Sequence, residues 1–224
     1  VALLTLKNGV GFCECRDRML VLDINRDRYF ELASELAKDV KIWTNGFLLS
    51  PARMKSLIDT GLFISTDHPD SRSKYEAPLV KRGIVGDEGK VESGIRLVIA
   101  FVFSIFWLSF FHCSVKYLPL RRLLDIARFP GCAAEGTTKE YSSHFLDWLT
   151  AFHRATLLFP RASRCLPDAL ALQRIVTRRG LSSKIIFGVQ TDPFQAHCWV
   201  QHDDVVLCQD LETVTGFRVI LVMP

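Results

Sequence analysis

With 224 residues the chain has room for one large domain or two small ones. Hydrophobic residues make up 49% and charged residues 23%, which excludes a disordered chain, and a net charge of +4 spread over scattered Lys and Arg gives no argument for nucleic acid. Seven cysteines, at 13, 15, 113, 132, 165, 198 and 208, are odd in number and irregularly spaced with no secretory signal ahead of them, so a reduced, cytoplasmic protein without a disulfide framework is expected. Cys13 and Cys15 have no second pair at zinc-finger spacing, so neither a metal nor a cofactor is expected.

Residues 1–66 read as a small separate domain. Val1 to Leu6 and Phe12 to Cys15 are strand candidates. Met19 to Ile24 runs into the polar turn Asn25-Arg26-Asp27-Arg28 and returns as Tyr29-Phe30-Glu31-Leu32, a hairpin. A helix is predicted over Ala33 to Val40 with Ser34 as its N-cap. A second runs from Ala52 to Thr60, opened by Ser50-Pro51 and stopped by Gly61, before Leu62-Phe63-Ile64 returns as a strand. This order suggests a winged-helix-like unit.

The hairpin pattern Val21-Leu22-Asp23-Ile24, polar turn, Tyr29-Phe30-Glu31-Leu32 resembles the PqqD-like precursor-recognition domain of peptide-modifying systems. The resemblance implies that the leader of a precursor peptide binds as an added strand, in a groove between the third strand and the last helix. On this chain the peptide-binding residues would be the edge Tyr29, Phe30, Glu31 and Leu32 and the helix face Met54, Leu57 and Ile58. Strand addition has a physical basis, since an exposed edge offers unpaired N–H and C=O groups and flanking pockets read alternate side chains. A winged helix also serves DNA, but Arg53 and Lys55 are the only cations on the second helix, poor for phosphate contacts. Leu57 and Ile58 read equally well as core.

Residues 67–94, rich in Asp, Ser, Pro, Gly and Lys without sustained periodicity, read as a linker, and 95–224 as the second domain. That domain opens with Ile95 to Val115, apolar on every face and about long enough to span a bilayer between Arg96 and Lys116. Ser104, Ser109, His112 and Ser114 interrupt the run, so a buried helix or a peripheral membrane contact is favoured over an anchor. Pro119 to Leu124 and Tyr141 to Phe159 supply further helices, with Pro130-Gly131 breaking the chain between them. The closing run Gly216 to Val222 is expected to pair in the sheet of this domain.

Arg164 to Asp210 is where residue types and spacing agree on a chemistry. Apolar residues after Cys165 recur at helical steps up to Arg178-Arg179-Gly180, so Cys165 sits at a helix start, with Pro167 in the first turn. Free N–H groups and the helix dipole there favour an anion, which prepares a nucleophilic thiolate. Lys184 to Gln190 reads as a strand, and Ala196 to His202 with Val205 to Asp210 as a hairpin. His197 and Asp210 would then lie on neighbouring strands, with the imidazole between thiol and carboxylate. His202, beside Asp203-Asp204, reads as solvated; Trp199 reads as core.

Cys165-Leu166-Pro167-Asp168-Ala169-Leu170-Ala171-Leu172, Arg178-Arg179-Gly180-Leu181, Ile186-Phe187-Gly188-Val189 and Pro193-Phe194-Gln195-Ala196-His197-Cys198-Trp199-Val200 resemble the B protein of lasso-peptide biosynthesis, a transglutaminase-like cysteine protease. The resemblance implies the catalytic set Cys165, His197 and Asp210. Cys198 departs from the family's small residue and is expected to fit the strand without touching the chemistry. The fold class implied is α+β, a PqqD-like winged-helix-like domain followed by a papain/transglutaminase-like peptidase. Such a protein would cut the leader from a ribosomally made precursor. Its partners would be that precursor and an asparagine-synthetase-like lactam synthetase, with no nucleic acid. A transglutaminase-like acyltransferase and a non-catalytic peptide-binding adaptor are the other classes open to the same residues.

Overall fold

The computed structural model describes residues 3–66, 79–86, 94–128, 141–160 and 164–224. Strand β1 (Leu3–Leu6) is completed by β5 (Phe63–Thr66) in an antiparallel pair. Between them β2 (Val10–Cys15), β3 (Arg18–Asp23) and β4 (Arg28–Glu31) form an antiparallel sheet in that order. The turn from β3 to β4 is tight because the Asp23 carboxylate accepts from the Asn25 N–H at 2.9 Å.

Helix α1 (Ser34–Thr44) runs four residues beyond the predicted Ala33 to Val40. Ala33 takes the N-cap position and Ser34 makes no capping bond. In α2 (Pro51–Asp59) the Ser50 hydroxyl accepts from the Arg53 N–H, and Pro51 occupies the first turn, where its missing donor is harmless. Leu57 is fully buried, and Ile58 packs with it in the core that holds Val10, Met19, Val21, Leu32 and Trp43. Two of the three helix residues expected to meet a peptide therefore serve the core, and Met54 is half-buried.

Strand β6 (Arg82–Ile84) lies in the stretch read as a linker, yet it joins the main sheet, parallel to β9 (Val205–Leu207). The other strands are β7 (Lys184–Gln190), β8 (Gln195–His202) and β10 (Arg218–Met223), in the order β10-β7-β8-β9-β6. Helix α6 (Cys165–Arg178) packs on this sheet through β7 and β8, α3 (Ile95–Ser114) and α4 (Leu120–Ala127) pack on α6, α5 (Ser143–Thr156) packs on α3, and a short α7 (Leu211–Thr215) precedes β10. Helix α6 is central because Leu170, Ala171, Ile175 and Val176 are all buried, and each large aliphatic contributes about 1.5–3 kcal/mol. Gly180, at φ +86, ends it. The inner face of α3, Ala100, Ser104, Leu108 and Phe111, packs against α5 and α6. Ser104 enters that apolar contact because its hydroxyl donates to the Ala100 carbonyl at 2.7 Å. Pro130-Gly131, Cys132 and most of 67–94 lie outside the described residues.

The first 66 residues do not stand apart from the rest. Val10, Met19 and Val21 face α1 and α2, while Leu20 and Leu22 enter the same core as Ala171, Ile175 and Leu221. Strand β3 is thus buried on both faces. Strand β2 crosses β10 so closely that a Cβ on Gly11 would overlap the Ile220 carbonyl. An Arg16–Asp192 ion pair at 2.7 Å and an Arg121–Asn25 hydrogen bond at 2.8 Å tie the two parts further. Residues 1–66 and the second half of the chain therefore share buried contacts. Gly11→Ala should lower the stability of the whole chain by about 1–3 kcal/mol through overpacking. Chemical denaturation would read this as a lower midpoint of a single transition, and an unchanged midpoint would rule out the close β2–β10 crossing.

Candidate active site

Cys165 opens α6 and lies on the wall of a cavity of about 480 Å³. His153, Arg164, Asp168, His197 and Gln209 share that wall. The thiol is half-buried and not in a disulfide. Its pKa falls to about 4, and the largest cause is hydrogen bonding to the Cys198 side chain. Burial opposes the fall, while the His197 imidazole, by hydrogen bond and by charge, and a backbone hydrogen bond from Cys198 add to it. The sequence expectation gave the helix start as the source of acidity; the structure adds two side chains from β8.

Cys198 is therefore not a bystander. Its thiol is buried and pushed well above the ordinary range, first because it gives its hydrogen bond to Cys165 and then by burial. A thiol that stays protonated beside a thiolate acts as a donor, which keeps the negative charge on Cys165. The His197 ring is shifted upward: burial works against its charging, but the hydrogen bonds to Cys165 and Gln209 and the charge on Cys165 outweigh it. A lowered thiol beside a raised imidazole favours the thiolate–imidazolium form, a nucleophile that needs no separate activation step.

The third partner is Gln209, whose Oε1 lies 2.8 Å from His197 Nε2. With Nε2 donating there, Nδ1 is the nitrogen left for the sulfur. The expected partner, Asp210, is exposed at the N-cap of α7, and no hydrogen bond joins it to His197 among the described residues. The reason lies in β9, which ends at Leu207. Cys208 then takes φ +57 and its N–H bonds the Ile84 carbonyl at 2.6 Å, so the chain leaves the strand and Gln209 turns toward the ring. A carboxamide oxygen fixes the imidazole tautomer as a carboxylate would, without a charge.

The ring is packed as well as bonded. It stacks near Trp199, with centroids 6.0 Å apart, and meets Phe217 at 5.2 Å. Gly188 makes room for these aromatics, since a Cβ there would overlap both Trp199 and Phe217. His202 is buried rather than solvated, and its Nδ1 bonds the Ser182 carbonyl, which removes it as a competing base. One turn after Cys165, the Asp168 carboxylate meets His112 at 3.1 Å and Arg164 at 3.4 Å. Burial raises the Asp168 pKa, and the hydrogen bond to His112 and the Arg164 guanidinium pull against it. Its signal in the sequence was an acid three residues after the cysteine on the same helix. Among the described residues no three His, Cys, Asp or Glu side chains converge as metal ligands would.

Strand β4 comes close to this site. Burial raises the Tyr29 pKa, and its side chain packs against the core that also holds Cys198 and borders Cys165. Its ring meets Phe194, in the turn before β8, at 5.9 Å. Phe30 and Leu32 face the other core, and Glu31 pairs with Arg18 at 2.6 Å. Among the described residues only β3 pairs with β4. The Leu32 N–H bonds the Met19 carbonyl across to β3, so by alternation the backbone groups of Tyr29 and Glu31 point outward.

Two outcomes follow from this geometry. Alkylation of Cys165 by iodoacetamide, read by mass spectrometry, should keep a level rate from about pH 8 to about pH 5 and fall off near a midpoint of about 4. Cys198→Ala should move that midpoint upward; a parent midpoint above about pH 7 would contradict the thiolate. Gln209→Ala should slow turnover at least about tenfold by freeing the ring, while Asp210→Ala should change it less than about twofold. The reverse ranking, measured as kcat, would restore Asp210.

Comparison with known families gives one match, to the transglutaminase-like superfamily over residues 107–222, which holds Cys165, His197 and Gln209. No curated protein and no solved structure matches the chain. The matched region covers more than half of the sequence and ends within β10. Members of this superfamily are generally cysteine peptidases or acyltransferases, and a cysteine thiolate paired with histidine serves either reaction. The chain belongs to the transglutaminase-like superfamily.

Proposed function

We propose that this chain is the leader peptidase of a lasso-peptide pathway, a cytoplasmic cysteine protease that binds the leader of a ribosomally made precursor and cuts it from the core. The observation that carries the proposal is that Tyr29, on β4, packs against the same core as Cys165, with the outer edge of β4 unpaired among the described residues. A leader added to that edge would extend the sheet beside the nucleophile. Because β4 and α6 share one core, the two steps are coupled by fixed geometry rather than by a tether.

The chemistry follows from the resting ion pair. The Cys165 thiolate attacks the carbonyl at the leader–core junction, and the oxyanion that forms is within the reach of the free N–H groups at the start of α6. The His197 imidazolium gives its Nδ1 proton to the departing core amine, the C–N bond breaks, and a thioester to the leader remains. Water, deprotonated by the now neutral His197, attacks the thioester and releases the leader acid and the thiolate. The freed core amine is the group that a separate ATP-using, asparagine-synthetase-like lactam synthetase would join to a side-chain carboxyl. Interception of the thioester by an amine instead of water is the acyltransferase alternative, and the site geometry serves both.

Precursor incubated with the parent chain should be split into leader acid and core, while Cys165→Ala should leave it intact but bound. Unchanged cleavage by Cys165→Ala would remove the protease reading, and binding without cleavage by the parent chain would leave the adaptor. Leader amide in place of leader acid when an amine is added would assign acyl transfer. Glu31→Pro removes an outward N–H without touching the β3–β4 ladder, and should weaken leader affinity at least about tenfold by fluorescence anisotropy. Full affinity in that variant would place the leader elsewhere.

A further inference from the structure

We infer that the outer face of α3 seats this protein on the surface of an anionic lipid bilayer. Ile95, Val98, Ile99, Val102 and Phe106 recur at helical spacing and are 75%, 56%, 55%, 59% and 58% exposed. They make one apolar ridge along a 20-residue helix, about 30 Å in length. A scatter of single exposed apolar residues is ordinary, but a continuous ridge marks an interaction surface.

The helix is long and apolar enough to cross a membrane, by length and composition. Its inner face is nonetheless built into the protein: Ala100, Leu108 and Phe111 are fully buried against α5 and α6. Pulling it out to span a bilayer would open the core that positions Cys165. Lying in the interface, with only the ridge immersed, needs no such rearrangement.

Charge selects the occupant. No Asp or Glu occurs between Ile95 and Ser114. Arg96 and Lys116 are exposed at the two ends of the helix, and Arg178 and Arg179 are exposed alongside it. The last two lie over the rings of Phe103 and Trp148, at 5.6 and 3.5 Å. Tyr117, 82% exposed beside Lys116, is an amphipathic ring of the kind that settles at headgroup depth. A second copy of the chain docked on this ridge would bring the same cations against each other, whereas anionic headgroups neutralise them. The inference is independent of the reaction carried out at Cys165.

The test is co-sedimentation of the full chain with equimolar phosphatidylglycerol/phosphatidylcholine vesicles and with phosphatidylcholine alone. Binding is expected to the anionic vesicles and to weaken with salt. Val98→Asp/Val102→Asp/Phe106→Asp, at exposed positions, should weaken it at least about tenfold with an unchanged circular dichroism spectrum and an unchanged rate of Cys165 alkylation. Arg178→Glu/Arg179→Glu should weaken binding to the anionic vesicles in the same direction. Parent chain left in the supernatant, or equal binding by parent and triple variant, would overturn the inference. So would a dimer, seen by light scattering, that the triple substitution dissolves.

Discussion

The structure depends on a negative sulfur held at the start of α6 by two consecutive residues of β8. His197 and Cys198 reach the sulfur from adjacent positions of β8, His197 packed on Trp199 and Phe217 and Cys198 buried in the core beneath α6. The sulfur is gripped by both: by an imidazole that carries the balancing charge and by a thiol and an N–H that carry none. For this to work, β8 must sit at a fixed height against α6. The pairing of β7 with β8 and the buried residues of α6 set that height, and the aromatic packing around Gly188 sets the angle of the ring.

Much of this frame was legible in the residues themselves. The periodic run after Cys165, the stop at Gly180 and the Ser50-Pro51 opening each gave an element where local chemistry and tertiary packing agree. Gln209 was not legible, because the alternation that begins at Val205 gives no sign that the strand ends at Leu207, and Cys208 is not a residue type that advertises a positive φ. Cys198 looked like a small hydrophobe, since a sequence does not say which buried thiol faces a thiolate. His202 looked wet because Asp203 and Asp204 follow it; the carbonyl that satisfies it, at Ser182, is twenty residues away.

The contacts between the two halves of the chain were harder to read. Strand β6 is held by backbone bonds, such as Lys81 N–H to the Asp204 carbonyl at 2.9 Å, and carries no apolar pattern to read. The unbroken run Met19-Leu20-Val21-Leu22 did carry a signal: a strand with apolar residues at consecutive positions is buried on both sides. One side faces α1 and α2, the other the catalytic core, so the same strand supports the edge offered by β4 and the helix that carries Cys165.

Gln209 has one more consequence. A carboxylate in its place would leave the centre with two negative groups and one positive, an excess that has to stay in touch with water. With a carboxamide in that place, a thiolate–imidazolium pair carries no excess charge and is an electrically balanced dipole. A balanced dipole can be covered by a bound chain without stranding an uncompensated ion in a medium of low polarity. Such a centre is suited to a reaction carried out beneath its own substrate.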